Sequence, residues 1–288
     1  MLRGPGVVAG VHPGATSPSR RVGARVARVP YEAPVTSSQL LAATPPAAVS
    51  RYSLLLTTDD AEVRAAQRLR HRVFAGELGA VLHTTEPGLD VDHFDHFCDH
   101  LVVREDATGE IVGTYRMLPP ARARAAGGLY AEGEFDVAAL APLRSSLVET
   151  GRSCVHPDHR DGAVINLVWA GIARYMLLTG NRWLVGCASV ALADGGTLAA
   201  AVHDRVTLEH TSPAHYRVHP HRPWEPSAVP HPARRPLPPL LRGYLRLGAW
   251  VCGEPAHDTD FDCADFPVLL GLDHMDPRYA RFFLGEGM

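Results

Sequence analysis

The 288-residue sequence predicts an α/β domain. Three observations point to it. Residues 147–190 read as strand, loop, helix and strand; an amphipathic helical pattern follows a short apolar run ending at residue 57; and two further apolar runs flank a turn at residues 106–109. Switching between a period near 3.6 and short β-type runs is the mark of helices packed on a sheet.

The elements justify themselves in order. Residues 51–57 (RYSLLLT) read as a strand. Asp59, three residues before Glu62, gives a start resembling a capping box, and Val63, Ala66, Leu69 and Val73 then recur at helical spacing. Arg64, Arg68 and Arg72 occupy the other face of that helix. Residues 100–104 (HLVVR) and 110–117 (EIVGTYRM) form the expected hairpin across Asp106-Ala107-Thr108-Gly109. A strand over 147–155 leads through His156-Pro157-Asp158-His159-Arg160-Asp161-Gly162 to a helix at about 164–179, which Gly180-Asn181 ends. Residues 183–190 form another strand, and 194–203 open a helix. Residues 211–239, rich in Pro and His, read as an irregular loop, followed by an amphipathic helix at 240–250 and a strand at 266–270.

Composition removes several chemistries. All 28 basic residues are arginine, so there is no lysine Schiff base, no pyridoxal-phosphate anchor and no P-loop lysine. A net charge of -3 argues against a nucleic-acid binder. Five scattered cysteines without CxxC spacing imply neither a zinc ribbon nor a disulfide framework, and fit a reducing cytoplasm. No apolar run approaches the ~18 residues that span a bilayer. Residues 1–50 carry five arginines and one acid among Gly, Pro, Ser and Ala, and are expected to be a disordered extension to a domain at 51–288.

Three clusters invite chemical readings. The strand-to-helix turn around Val155, Arg160, Gly162 and Ala163 offers backbone N–H groups at a helix start, which suits a phosphate; an ordinary βα turn is the alternative. The run Asp92-His93-Phe94-Asp95-His96-Phe97-Cys98-Asp99-His100 contains metal-ligand residue types, yet its apolar neighbours suggest a loop that packs aromatics and turns its polar groups to water; no metal is expected. Cys154, near His156, is the one candidate nucleophile, although Pro157 constrains that turn.

Motifs taken together carry a resemblance. ETGRSC at 149–154, with Val155-His156-Pro157 and Arg160, resembles the central motif of the GNAT acyltransferases. More narrowly, the chain is similar to the bacterial ornithine-lipid-forming N-acyltransferases (hemolysin-like) and their relatives the acyl-homoserine-lactone synthases. Arg70-His71-Arg72-Val73-Phe74 with Glu77 and Gly79, LDVDHFDHF at 89–97, VGTYRML at 112–118, GCAS at 186–189, LLRGYLRLG at 240–248 and residues 276–283 agree in order, over about residues 52–284. The resemblance implies a GNAT-like, mixed and mostly antiparallel central sheet, split in a V and flanked by helices.

It also implies a site. Asp92, Asp95, Arg116, Arg152 and Arg72 are expected around the acceptor, carboxylates for its amine and arginines for its carboxylate. Glu149 is the expected general base, with backbone N–H groups near Ser153 and Val155 meeting the oxyanion and Cys154 beside them. The amine attacks the thioester directly, so no covalent enzyme intermediate is needed. GNAT phosphate loops resemble R-x-x-G-x-G/A, and here Arg160-Asp161-Gly162-Ala163 is shorter, with one glycine. That suits the single phosphodiester of acyl carrier protein (ACP) at least as well as coenzyme A. The implied reaction is transfer of a (3-hydroxy)fatty acyl group from ACP to the α-amine of ornithine, giving lyso-ornithine lipid with no tightly bound cofactor. The alternatives are an acyl-CoA donor, another amine acceptor, or a non-catalytic lipid- or carrier-binding module. Arg242 and Arg246 on the C-terminal helix suggest peripheral membrane contact, or else a helix that caps the acyl tunnel. The arginines of the first helix could dock an acidic carrier, or be merely solvated.

Overall fold

The computed structural model describes residues 38–44, 51–226, 229, 235–275 and 278. Its strands are β1 (Gln39–Ala43), β2 (Tyr52–Thr57), β3 (Asp99–Glu105), β4 (Ile111–Leu118), β5 (Phe135–Asp136), β6 (Leu147–Val155), β7 (Trp183–Ala191), β8 (His219–Pro220), β9 (Trp250–Val251), β10 (Ala256–Asp258) and β11 (Cys263–Gly271). The helices are α1 (Asp60–His71), α2 (Pro120–Ala125), α3 (Ala163–Thr179), α4 (Thr197–Glu209) and α5 (Pro239–Leu247). The main sheet runs β1-β2-β3-β4-β6-β7-β11-β10, with β9 also on β11, and a small sheet pairs β5 with β8. Among the described strands only β6 and β7 pair parallel, so the sheet is mixed and mostly antiparallel, as the resemblance implied.

Strand alternation sorts side chains to two faces. Leu54, Leu56, Leu101 and Val103 pack with α3, whereas Leu55 and Val102 pack with Ala66 and Leu69 of α1 and with Val73 just beyond it. The α1 start is capped as expected, the Asp59 side chain accepting from the N–H groups of Ala61 and Glu62. Gly180, with φ +66°, closes α3.

Two local departures shape the cavity. Pairing between β6 and β7 stops after Thr150↔Gly186; beyond it β6 stays with β4 and β7 with β11, which opens the V. The β4–β6 register also slips, Thr114 facing Cys154 but Arg116 facing Gly151. This bulge on β6 puts Arg152 at φ +54°, a conformation non-glycine residues rarely adopt.

Several expectations need correcting. Gln39–Ala43, placed in a disordered extension, pairs with β2 as an edge strand. Only Leu41 of that strand is buried, too little for a pattern to reveal. Residues 1–37 and 45–50 lie outside the described residues, as do 276–283 apart from Arg278. The helix after α1 continues as a π-helical turn, Arg72–Glu77. The 93–97 segment is a 3-10 turn capped by Asp92, and Asp95, Asp99 and His100 are buried rather than turned to water. The 211–239 stretch is mostly irregular but contributes β8.

Candidate active site

Where β6 and β7 diverge, a cavity of about 610 Å³ opens between them. Its walls include Glu149, Arg152, Tyr130, Ser189, Asp258 and Asp265, with Pro238, Pro239 and Leu240 closing one side. Leu241, Tyr244, Leu245 and Leu247 of α5 are buried, while Arg242 and Arg246 point outward. The C-terminal helix is therefore packed into the core at the cavity's edge. A buried hydroxyl cluster ties it there: the Thr150 hydroxyl lies 2.9 Å from that of Tyr244 and accepts from Tyr115 at 3.0 Å.

Glu149 is 5% exposed and lines the cavity. Its oxygens accept hydrogen bonds from the backbone N–H groups of Tyr130 (2.6 Å) and Ala131 (2.8 Å). Burial pushes its carboxyl up to about 7, against the opposing pull of those two hydrogen bonds and of Arg116. A carboxyl poised there can take a proton near neutral pH.

Beside it lies a charge network that sequence reasoning foresaw only in part. Arg70 is fully buried and donates to both oxygens of Asp95 at 2.7 Å, while its Nε sits 2.9 Å from Asp90. Arg116 reaches Asp92 (2.5 Å) and Asp95 (3.3 Å). Arg152 reaches Asp90 (3.2 Å) and Asp92 (3.3 Å), and its guanidinium lies 4.9 Å from the Tyr130 ring centre and 5.1 Å from that of Phe261. Three arginines thus meet three aspartates, and the network is neutral. Arginine pairing outweighs the cost of burying Asp95 and holds its carboxyl far below the usual range.

The expected residues separate into groups. Glu149, Arg116, Arg152, Ser153, Cys154, Val155, Arg160 and Gly162 line the cavity. Asp92 and Asp95 stand behind the arginines, outside that lining. Arg72 is a correction: it is exposed, paired with Glu110 at 3.2 Å and bonded to His156 at 2.7 Å. Two residues along a helix turn the side chain by about 200°. It is Arg70 that faces inward, and its place in the apolar stripe beside Leu69 and Val73 was the available signal.

Cys154 packs against the α1 core, and burial pushes its thiol up to about 12, keeping it protonated. At the strand-to-helix turn, Arg160 is held by a two-pronged pair to Glu77 (2.6 and 2.7 Å). Gly162, at φ +101°, lets the chain turn into α3, and the Ala163 N–H donates to Asp161 at 2.9 Å. Asp258 and Asp265, which sequence reading did not single out, also line the cavity, and Glu134 lies beside Asp265.

The family described as acetyltransferase (GNAT) domain matches residues 69–170. An L-ornithine N(alpha)-acyltransferase of Rhodobacter capsulatus is 36% identical over 257 residues, covering 82% of this chain and 96% of that protein. Another, of Brucella abortus, is 34% identical, covering 83% and 90%. Among solved structures, FeeM, an N-acyl amino acid synthase from uncultured soil microbes, aligns with a TM-score of 0.48 at 14% identity, over 77% of this chain and 91% of that one. On the strength of the two sequence relatives, this chain belongs to the L-ornithine N(alpha)-acyltransferase family and is a GNAT-type N-acyltransferase.

Proposed function

We propose that the protein transfers a (3-hydroxy)fatty acyl group from acyl carrier protein to the α-amine of ornithine, giving lyso-ornithine lipid. The observation that carries this reading is Glu149, a buried carboxyl raised to about 7 and lining a cavity whose wall also bears Arg116 and Arg152.

Each residue's part follows from its chemistry. The acceptor's carboxylate approaches Arg116 and Arg152 from the cavity side, with Asp92 behind both. Its neutral α-amine attacks the thioester carbonyl and Glu149 takes the proton that the nitrogen loses. As the tetrahedral intermediate collapses, the C–S bond breaks and the amide forms; Glu149 passes the proton it took from nitrogen to the departing pantetheine sulfur, which leaves as the thiol and returns Glu149 to its carboxylate. Backbone N–H groups at the β6 bulge around Ser153 meet the transient oxyanion. Cys154, protonated and packed in the core, has no bond to form. Positioning by the two arginines supplies a large share of the rate.

For the donor, a single phosphodiester at Val155, Arg160, Gly162 and Ala163 fits the short loop, where Asp161 already occupies one N–H and Glu77 offsets the arginine. Such a loop has less to offer a pyrophosphate, which favours ACP over coenzyme A. The exposed Arg64 and Arg68 of α1 are the face for an acidic carrier. No helix among the described residues is long and apolar enough to cross a membrane, so any membrane contact is peripheral to the described fold.

Incubating purified protein with L-ornithine and either 3-hydroxyacyl-ACP or 3-hydroxyacyl-CoA tests the proposal. Mass spectrometry should find N-acylornithine, with the ACP thioester the faster donor. Faster turnover of the CoA thioester would reverse the donor assignment, and absence of acylornithine with both donors would remove the acceptor.

A further inference from the structure

Most buried carboxylates among the described residues have a compensating partner. Asp90, Asp95 and Asp99 each meet an arginine, and Glu149 accepts two backbone N–H groups. Asp265 is different. It is 4% exposed and lines the cavity, and its hydrogen bonds come from the Cys263 thiol at 3.4 Å, the Ser189 hydroxyl and the neighbouring Glu134 carboxyl, none of them a cation. Nearby, Glu134 Oε2 is shut off from solvent and has no hydrogen-bond donor. Carboxylate and sulfur atoms of Glu134, Cys187 and Asp265 lie within 4.8 Å of one another, as do those of Asp258, Cys263 and Asp265. Among the described residues no arginine or histidine pairs with any of these three acids.

Asp258 is half-buried and accepts from the backbone N–H groups of Asp260 and Phe261, but Glu134 and Asp265 adjoin each other and Asp258 with no cation among them, which is costly for buried carboxyl groups. Burial raises both Glu134 and Asp265, Glu134 further through Asp265 and Asp258, and Asp265 further through Asp258. A visiting cation would remove that cost. The neighbouring thiols do not supply a metal-binding thiolate: burial and these same acids push Cys187 far up. What remains is an oxygen-rich hollow, reached from the cavity, that suits a group with several N–H donors.

We propose that Glu134, Asp258 and Asp265 form the subsite for the side-chain ammonium of a diamino-acid acceptor, and so select a basic amino acid over an apolar one. This rests on reading the cavity as the acceptor site. The geometry is coherent with that reading. Tyr130 adjoins both groups of residues: the Arg152 guanidinium lies 4.9 Å from its ring centre and bonds its hydroxyl, on which Glu134 and Asp258 also act. The α-carboxylate and α-amine belong to the arginine–Glu149 wall, and the second amine to the acidic one.

The test compares L-ornithine with L-norvaline, which has the same carbon skeleton but lacks the δ-amine. Steady-state kinetics are measured for the wild type, Glu134→Gln and Asp265→Asn with one acyl donor. Loss of a charge-assisted contact in a buried site predicts a roughly 10–100-fold fall in kcat/KM for ornithine, mostly through KM, with norvaline unchanged or improved. A merely structural defect would lower both substrates together. Glu134→Gln lies outside the main sheet and keeps the comparison alive if Asp265→Asn does not fold. An unchanged ornithine-to-norvaline ratio in the folded variants, or a wild type indifferent to the δ-amine, overturns the assignment while ornithine acylation stands. Activity abolished by EDTA and restored by a divalent cation would give the hollow to a metal and overturn it too. A wild type that acylates neither amino acid overturns the acceptor reading, and this assignment with it.

Discussion

Replacing Glu149 by Gln removes the proton acceptor while keeping its volume, and the structure sets the size of each consequence. The amide can accept only one of the two N–H groups that the carboxylate now satisfies at Tyr130 and Ala131. The other then faces an NH₂, a loss of about 1–3 kcal/mol. Against this stands the pKa, raised from 4.5 to about 7. Between those two values the unfolded chain has released the proton and the folded chain still holds it. This group's contribution to stability therefore falls as pH rises from about 4.5 to about 7, by roughly 3 kcal/mol. In the Gln variant that fall is absent. Near pH 5 the folded wild-type carboxyl is itself protonated and presents an OH to one of these N–H groups, so the variant should be close to wild type there and at least as stable at pH 7.5, where activity can be compared between folded proteins. There the acyl-transfer rate, followed by release of pantetheine thiol, should drop by about 10²–10⁴-fold. The wild-type kcat/KM should rise with pH through an apparent pKa near 7, and the variant should lose that limb. A variant within threefold of wild type from pH 6 to 9 would refute Glu149 as base.

Other outcomes follow from the same structure. Arg70→Met should destabilise the fold by about 3–5 kcal/mol in denaturant titration, since Asp95 and Asp90 would be left buried with reduced pairing. Gly186→Ala should cost about 1–3 kcal/mol, because a Cβ there would lie 2.8 Å from the Thr150 carbonyl oxygen, backbone that cannot swing aside. Thermal melts check that value. Cys154→Ser should keep acyl-transfer kcat within a few-fold, and the native protein should resist thiol alkylation at pH 7.5, because the thiol titrates only near 12; rapid alkylation at Cys154 would contradict the burial argument.

How far the sequence was legible depended on whether the information was local. Strand–turn–helix order over 147–190, the Asp59 cap and the 99–118 hairpin were all readable, because a period or a turn residue marks each. Unassigned residues 120–146 proved to hold α2, β5 and two 3-10 turns whose Leu129, Phe135, Leu140 and Leu143 fill a second core. Prolines and irregular spacing there hide any single period. Glu149, Arg116 and Arg152 were placed at the site by motif, and they line the cavity. Arg72 was chosen where Arg70 was needed, since a motif written as R-x-R does not say which arginine points inward.

The chain by itself determined what each residue can do: arginine alone for every permanent cation, no lysine chemistry, helices and strands in a fixed order. Only the tertiary structure decided which groups meet. Asp92 and Asp95 look in the sequence like partners for a substrate amine, yet folding gives them to Arg116, Arg70 and Arg152. Glu134, Asp258 and Asp265 look unremarkable, separated as they are along the chain, yet folding brings them together around Asp265 with no arginine among them. A carboxylate's charge is fixed by its type, but its partner depends on long-range closure of the sheet, and no local period encodes that.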